Sequence, residues 1–132
     1  FHGSRVRAYV FSMAQAAACC AAAVQALTIV DRGAKRRERL LNLSEDLRAR
    51  LTQQGWQIGP GKSQIIPIFL GEPELTMQMA GRLFESGFFV PGIRPPSVPP
   101  GESLLRISVT AGHTSEHLES LVLALEQSRV KK

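Results

Sequence analysis

Arg106 combines a residue type and a position that suit anion binding. It lies in residues 104–109, where apolar and other residues alternate with the period of a β-strand, so its side chain is predicted to face away from the apolar row. A guanidinium offers its donors in a planar fork that matches a carboxylate or a phosphate. The alternative from spacing alone is a solvated charge on an edge strand, because most arginines are exposed.

A rigid loop precedes this strand. Residues 89–101 contain five prolines and two glycines. Proline fixes φ and removes backbone donors, whereas glycine admits positive φ, so no regular element is predicted here. We expect the loop to hold a fixed shape beside Arg106.

The histidines form no recognisable catalytic or metal-binding set. His113 and His117 are spaced as neighbours on one helix face, but Thr114 and Ser115 resemble the start of that helix, and a third ligand is missing. We therefore predict that His113 hydrogen-bonds the backbone at the turn. Residues 59–63 lack the first part of a phosphate-binding P-loop and are interpreted as a turn.

The loop and strand resemble a known enzyme family. Gly-Ile-Arg-Pro-Pro-Ser-Val-Pro at 92–99, Leu-Arg-Ile at 105–107 and Thr-Ala-Gly-His-Thr at 110–114 are similar to the C-terminal domain of the α-oxoamine synthases. These pyridoxal-phosphate enzymes, of the fold-type I class, condense an amino acid with an acyl thioester. The Ile-Arg-Pro-Pro form resembles the branch that serves biotin synthesis, in which L-alanine reacts with a pimeloyl thioester and CO₂ is lost.

The resemblance implies roles for individual residues. Arg106 matches the second Arg of an Arg-Leu-Arg motif that holds the amino-acid carboxylate, although Leu104 replaces the first Arg. Arg94 would lie beside the entrance for the acyl substrate, with packing against the prolines as the alternative. Ser97 stands where threonine is usual and keeps the hydroxyl at this substrate-binding loop. Ser12 would contact the cofactor phosphate, or else cap the helix that follows it.

The same resemblance implies that this chain is a C-terminal part of a longer enzyme. The family needs a lysine that joins pyridoxal phosphate, an aspartate at the pyridine nitrogen and a histidine on the ring, all in a preceding larger domain. We expect the chain alone to be inactive, the cofactor to be bound mainly by that domain, and the full-length enzyme to be a cytoplasmic homodimer. The alternatives are another α-oxoamine synthase, of the aminoketobutyrate or serine palmitoyltransferase type, and a non-catalytic relic interaction domain. Two departures from the family pattern favour the relic domain, because Met13 stands where relatives commonly have threonine and Leu104 replaces the first Arg of the motif.

The remaining patterns predict an α+β fold. The expected order is helix, helix, strand, helix, strand, strand, helix, with a small antiparallel or mixed sheet that helices cover on one face. A leucine-striped helix over 32–54 should end at Gly55. The strand over 64–70 contains Pro67, which favours a sheet edge or a bulge, and residues 88–90 are expected to form a short strand.

Residues 8–30 carry no charge and are long enough to cross a bilayer as a helix. Their apolar content is mainly alanine, which contributes little transfer energy, so a buried linking helix is favoured over a membrane segment. Cys19 and Cys20 are adjacent, which disfavours a disulfide between them, and they are predicted to be small buried residues. We divide the chain into a strand and linking helix at 1–30 and a small domain at 31–132.

Composition limits the partners. The formal net charge of +5 comes partly from a basic cluster near residues 32–39, which is most simply a solvated helix face. The chain has one Trp and one Tyr, and no aromatic residues interleave the basic cluster. Nucleic acid and membrane are therefore disfavoured as partners, and small-molecule substrates are expected.

Overall fold

A computed structural model describes residues 16–129. The chain divides into a first unit that ends at Lys35 and a second unit that begins at Arg36. The first unit contains helix α1 (Ala17–Arg32), whose alanines are strong helix formers. The helix ends at Gly33, whose amide donates to the Val30 carbonyl over 3.1 Å.

The predicted burial of this helix is wrong for the chain as it stands. None of the residues of α1 is buried, and Cys19 and Cys20 are both exposed with free thiols. A helix buries a face only against a second layer, and the described residues of its own unit provide none.

Among the described residues, no single helix is long and apolar enough to span a membrane. Helix α1 and helix α2 (Ala34–Gln53) together have the length and composition of a membrane span, but only as a bent pair.

The second unit starts with the leucine stripe of α2. Leu47 and Leu51 are fully buried in the core, as the periodicity predicted. Gly55 follows the helix with φ of +78°, and the amide of Trp56 donates to the Leu51 carbonyl over 3.0 Å. Glycine adopts this left-handed conformation without steric cost, so the predicted C-terminal stop is confirmed.

Three antiparallel strands form the sheet, which consists of β1 (Ile65–Gly71), β2 (Gly92–Ile93) and β3 (Ser103–Ser108) in the order β1-β3-β2. Pro67 lies in an edge strand, as predicted, and pairs in register with Arg106. A register shift follows it between Phe69 and Gly71.

The strand expected at 88–90 is displaced. The sequence pattern there is apolar, but the amide of Phe88 donates to the Leu83 carbonyl and completes the end of the preceding helix. Pairing with β3 begins only at Gly92. A Cβ at Gly92 would lie 3.1 Å from the Thr76 methyl and 3.2 Å from the Met77 sulfur, so glycine lets β2 approach the neighbouring helix closely.

Two more helices complete the unit, α3 (Pro73–Glu85), with proline in its first turn as predicted, and α4 (Ser115–Ser128). Buried side chains from α2, α3 and α4 pack with one face of the sheet in a single core, which includes Leu51, Ile66, Ile68, Met79, Leu83, Leu105, Ile107 and Leu125. The element order and the α+β architecture predicted from the sequence are confirmed.

Arg50 links two of these helices at the surface. Its guanidinium binds Asp46 one turn earlier on α2 and Glu119 on α4, at 3.0 and 3.2 Å. Hydrogen bonds to these two carboxylates raise the pKa of Arg50 above its ordinary value. The guanidinium therefore stays charged throughout the range of pH in which the protein is handled.

Candidate functional site

Arg106 projects from the outer face of β3. Leu105 and Ile107 on either side of it are buried, whereas Arg106 is exposed, so the predicted alternation is confirmed. Its backbone amide donates to the Pro91 carbonyl over 3.0 Å, which fixes the base of the side chain. Within residues 16–129 its guanidinium has no hydrogen-bond or ion-pair partner. The strand thus presents a rigidly mounted cation whose donors are available to a ligand.

An apolar row lies beside Arg106 on the same face. Residues paired directly across an antiparallel sheet point to one side, and Leu104 is paired with Phe69 on β1 and with Ile93 on β2. All three of these side chains are partly buried. A row of hydrocarbon therefore crosses the sheet one step from the guanidinium. Sequence reasoning missed this row because strand register cannot be read from alternation within one strand.

The proline loop is held by its own turns. The amide of Ser97 donates to the Arg94 carbonyl over 3.0 Å, and that of Glu102 donates to the Pro99 carbonyl over 3.1 Å. The peptide bond between Pro95 and Pro96 is cis. The two turn hydrogen bonds give the loop a defined course, as its composition predicted.

Arg94 and Ser97 share one turn of this loop and are both exposed. Arg94 follows the last residue of β2, and within the described part of the chain its guanidinium has no hydrogen-bond or ion-pair partner. Ser12, the fourth predicted contact, lies outside the described residues. The structure therefore places Arg106 on the central strand and Arg94 in the loop just after the neighbouring strand, with no hydrogen bond or ion pair that links either guanidinium to a common partner.

Both histidines accept hydrogen bonds from backbone amides, as predicted for His113. Its Nδ1 accepts a hydrogen bond from the Thr110 amide at 3.0 Å. His117 Nδ1 accepts one from the Thr114 amide at 3.2 Å, while the Thr114 hydroxyl accepts from the His117 amide at 3.3 Å. This reciprocal capping box starts α4. Sequence reasoning placed the start of this helix at Thr114 or Ser115 but missed the role of His117, which replaces the usual Glu or Gln.

Residues 16–129 contain no cluster of His, Cys, Asp or Glu that could hold a metal ion. The described residues also provide no combination of lysine, aspartate and histidine that could hold pyridoxal phosphate. Lys35 and Lys62 are exposed, Asp46 is bound to Arg50, and both histidines use Nδ1 for the backbone. These residues therefore do not fit the covalent attachment of this cofactor.

Known proteins resemble this chain over almost its whole length. The family model for aminotransferase class I and II matches residues 3–125. The 8-amino-7-oxononanoate synthase of Aromatoleum aromaticum is 34% identical over 128 residues, which are 97% of this chain and 33% of that protein. The chain thus spans about a third of the length of this relative.

Solved structures share the fold. A structure of SPT with PLP is 29% identical, with a TM-score of 0.68 over 70% of this chain and 24% of that one. The 8-amino-7-oxononanoate synthase of Francisella tularensis is 20% identical and shows the fold alone, with a TM-score of 0.77 over 92% of this chain and 35% of that one.

These similarities confirm the resemblance seen in the loop and in β3. Sequence and structure agree that this chain is a member of the class I and II aminotransferase family.

Proposed function

We propose that this chain is the small domain of a pyridoxal-phosphate-dependent α-oxoamine synthase of the 8-amino-7-oxononanoate synthase type. In this proposal Arg106 binds the carboxylate of the amino-acid substrate. The observation that carries it is the partnerless guanidinium of Arg106, mounted on the outer face of β3 by a backbone hydrogen bond. The similarity to an 8-amino-7-oxononanoate synthase supports the choice of branch.

The chemistry of Arg106 suits this role. A planar guanidinium forms two parallel hydrogen bonds to a carboxylate, which fixes the orientation of the ligand as well as its charge. The apolar row of Leu104, Phe69 and Ile93 limits hydration on one side of the ion pair, and lower local polarity strengthens it. A strand in the centre of the sheet holds the anchor more firmly than a loop.

Orientation is the contribution that this anchor makes to the reaction. Pyridoxal phosphate, when bound, supplies an electron sink for the bond that breaks at the substrate Cα. A bidentate Arg106 would hold the carboxylate in one plane and thereby set the direction of that bond. The lysine, aspartate and histidine for the cofactor would come from the part of the enzyme that this chain lacks, so the chain alone is expected to be inactive.

The proline loop would meet the second substrate. Arg94 and Ser97 present a cation and a hydroxyl from one turn at the sheet edge. We assign to them the acyl thioester, with pimeloyl as the acyl group and biotin as the product of the pathway. The full-length enzyme is proposed to be a cytoplasmic homodimer with L-alanine as the amino acid.

Leu104 favours a second candidate within the same family. Its side chain replaces an arginine of the family motif by hydrocarbon, which changes the charge beside the anchor. An α-oxoamine synthase with another amino-acid or acyl substrate would accommodate this change, as would a relic domain without catalysis.

The longest natural protein that contains this chain provides the test. We expect it to show the absorbance band of bound pyridoxal phosphate and to convert L-alanine and a pimeloyl thioester to 8-amino-7-oxononanoate, whereas residues 1–132 alone should do neither. Activity with serine or glycine and a different acyl thioester would select the second candidate. If the long protein binds no pyridoxal phosphate, both synthase proposals are contradicted, and the relic domain without catalysis is the remaining candidate.

A further inference from the structure

A partly open cavity of about 400 Å³ lies beside the segment that leads into β2. The ladder between this segment and β3 ends with the hydrogen bond from the Arg106 amide to the Pro91 carbonyl. Beyond it the segment 88–90 separates from β3, and α4 closes the floor of the gap. The lining is largely apolar and includes Phe88, Val90, Ile107, Val109, Leu118 and Leu121.

Two imidazoles and the Ser108 hydroxyl are the polar side-chain groups of this cavity. His113 and His117 both line it, and their ring centroids are 6.0 Å apart. Each Nδ1 accepts a hydrogen bond from a backbone amide, so the lone pair is on Nδ1 and the proton is on Nε2. The cavity is therefore lined by two imidazoles whose Nε2–H groups have no acceptor among residues 16–129.

This tautomer selects among ligands. A metal ion bound to Nε2 would require a proton on Nδ1, where a backbone N–H already points, so the capped histidines disfavour metal binding. The lining contains no Asp or Glu to accept from an ammonium group, and Ser108 is its one hydroxyl. Imidazole N–H donors without a neighbouring carboxylate instead favour an anionic ligand such as a carboxylate, whose two oxygens can each accept a hydrogen bond. The N-terminus of α4 adds a favourable dipole.

We propose that this cavity binds a medium-chain fatty carboxylate. Its hydrocarbon chain would occupy the apolar space between Phe88 and Leu121, and its carboxylate would accept from Nε2 of His113 and His117. The volume is near the lower end of ligand pockets, roughly 300 to 1,000 Å³, which suits a single short chain. This inference rests on the cavity and its histidines, and it stands independently of the role proposed for Arg106.

Titration of the 132-residue chain with octanoate tests the proposal, using two-dimensional NMR spectra of backbone amides and imidazoles. We expect saturable shifts at residues 88–90, at 107–109 and at both histidine rings. Octylammonium carries the same hydrocarbon with the opposite charge and should bind at least tenfold more weakly. Leu121→Trp fills the cavity and should abolish the shifts, whereas Leu123→Trp, on the exposed side of α4, should leave them unchanged.

A variant that keeps the fold separates binding from stability. His117→Glu completes the common Thr-x-x-Glu capping box and retains the start of α4 while it places a negative charge in the cavity. We expect an unchanged thermal midpoint and at least tenfold weaker octanoate binding, with a smaller loss for His117→Gln. The proposal is overturned by absent or unsaturable binding, by equal affinity for octylammonium, by full affinity in folded His117→Glu, or by shifts centred on the exposed Phe84 and Met77 of α3, outside the cavity.

Discussion

The two edges of the sheet are built differently. At the β1 edge the chain closes on itself, because the amide of Phe69 donates to the Gln57 carbonyl over 2.8 Å and that of Gly59 donates to the Pro67 carbonyl over 3.2 Å. Arg48 of α2 then donates to the carbonyls of Gly59, Ser63 and Ile65, at 3.3, 3.1 and 2.9 Å. Backbone groups at this edge are therefore satisfied from within the chain.

The β2 edge is open. The strand has two residues, the segment before it diverges to form the cavity, and Phe89 keeps 81% of its accessible surface. Arg94 and Ser97 lie just beyond the strand, and Arg106 projects from β3 next to it. The groups that are free to bind thus lie on this side or face the solvent from the central strand.

This difference separates the sheet edge that stabilises the second unit from the edge that is available for binding. An edge strand with unpaired backbone groups is a liability that proteins cover or shorten. Here one edge is covered by a neighbouring segment and an arginine, which stabilises the fold, and the other is shortened and interrupted by prolines. Substitutions at the closed edge should therefore change the free energy of unfolding, and those at the open edge should change binding.

Arg48→Met is expected to have the largest effect on stability, a loss of about 3 kcal/mol in the free energy of unfolding. It removes charge-assisted hydrogen bonds to three carbonyls while it keeps the apolar stem of the side chain. Urea unfolding followed by circular dichroism measures it. Arg36→Met, an exposed change on the same helix, is the matched control, and equal midpoints for the two variants would show that Arg48 does not hold the edge.

Gly59→Ala should cost about 2 kcal/mol, because overpacking forces neighbouring atoms to move. An added Cβ would lie 2.7 Å from Pro67 Cγ and 3.2 Å from Phe69 Cε2. The same change at Gly81, where nothing lies within 4 Å, is the control and should be neutral or slightly stabilising. Thermal unfolding of both variants measures the difference, and an unchanged Gly59→Ala would mean that this segment is not tightly packed on β1.

Thr114→Ala should destabilise the unit by about 1 kcal/mol, because it removes half of the capping box at the start of α4. Thr114→Ser keeps the hydroxyl and should restore most of the loss. Denaturation midpoints compare the three proteins. If alanine and serine are equivalent, the hydroxyl does not cap the helix.

Phe89→Ser should change the free energy of unfolding by less than about 0.5 kcal/mol, since exposed substitutions rarely cost more. Its ring contacts Phe84 edge-on, with centroids 6.5 Å apart, but both rings are largely exposed. Leu105→Ala, at a fully buried site in the adjacent strand, is the contrasting variant and should cost several-fold more. A large loss for Phe89→Ser would show that the open edge is also important for stability.

The sequence predicted most of what depends on local pattern. The alternation around Arg106, the leucine stripe of α2 and the stop at Gly55 follow from period and backbone preference, and each is confirmed. The strand at 88–90 was misplaced because its partner is distant in the chain and the pairing starts only where Gly92 fits against α3.

The errors and omissions have a common physical origin in contacts that are not local. Burial of α1 was expected from its composition, but burial depends on a second layer that the described part of its unit does not contain. The row of Leu104, Phe69 and Ile93 depends on the register of three strands. Alternation alone predicted that Arg106 faces away from the apolar row of its own strand. The apolar residues beside it on the neighbouring strands could be identified only from the fold.

Substrate affinity in the longest natural protein tests the central claim, that Arg106 anchors a carboxylate. The absorbance of its pyridoxal phosphate would be followed while L-alanine is added to the wild type, to Arg106→Ala and to Arg36→Ala, in which an exposed arginine elsewhere is lost. A charge-assisted pair contributes about 1.5 to 3 kcal/mol, so Arg106→Ala should need roughly 10- to 160-fold more L-alanine, and Arg36→Ala should match the wild type. L-alaninamide, which lacks the carboxylate, should bind both arginine variants and the wild type equally. An unchanged L-alanine dependence in Arg106→Ala would contradict the anchor.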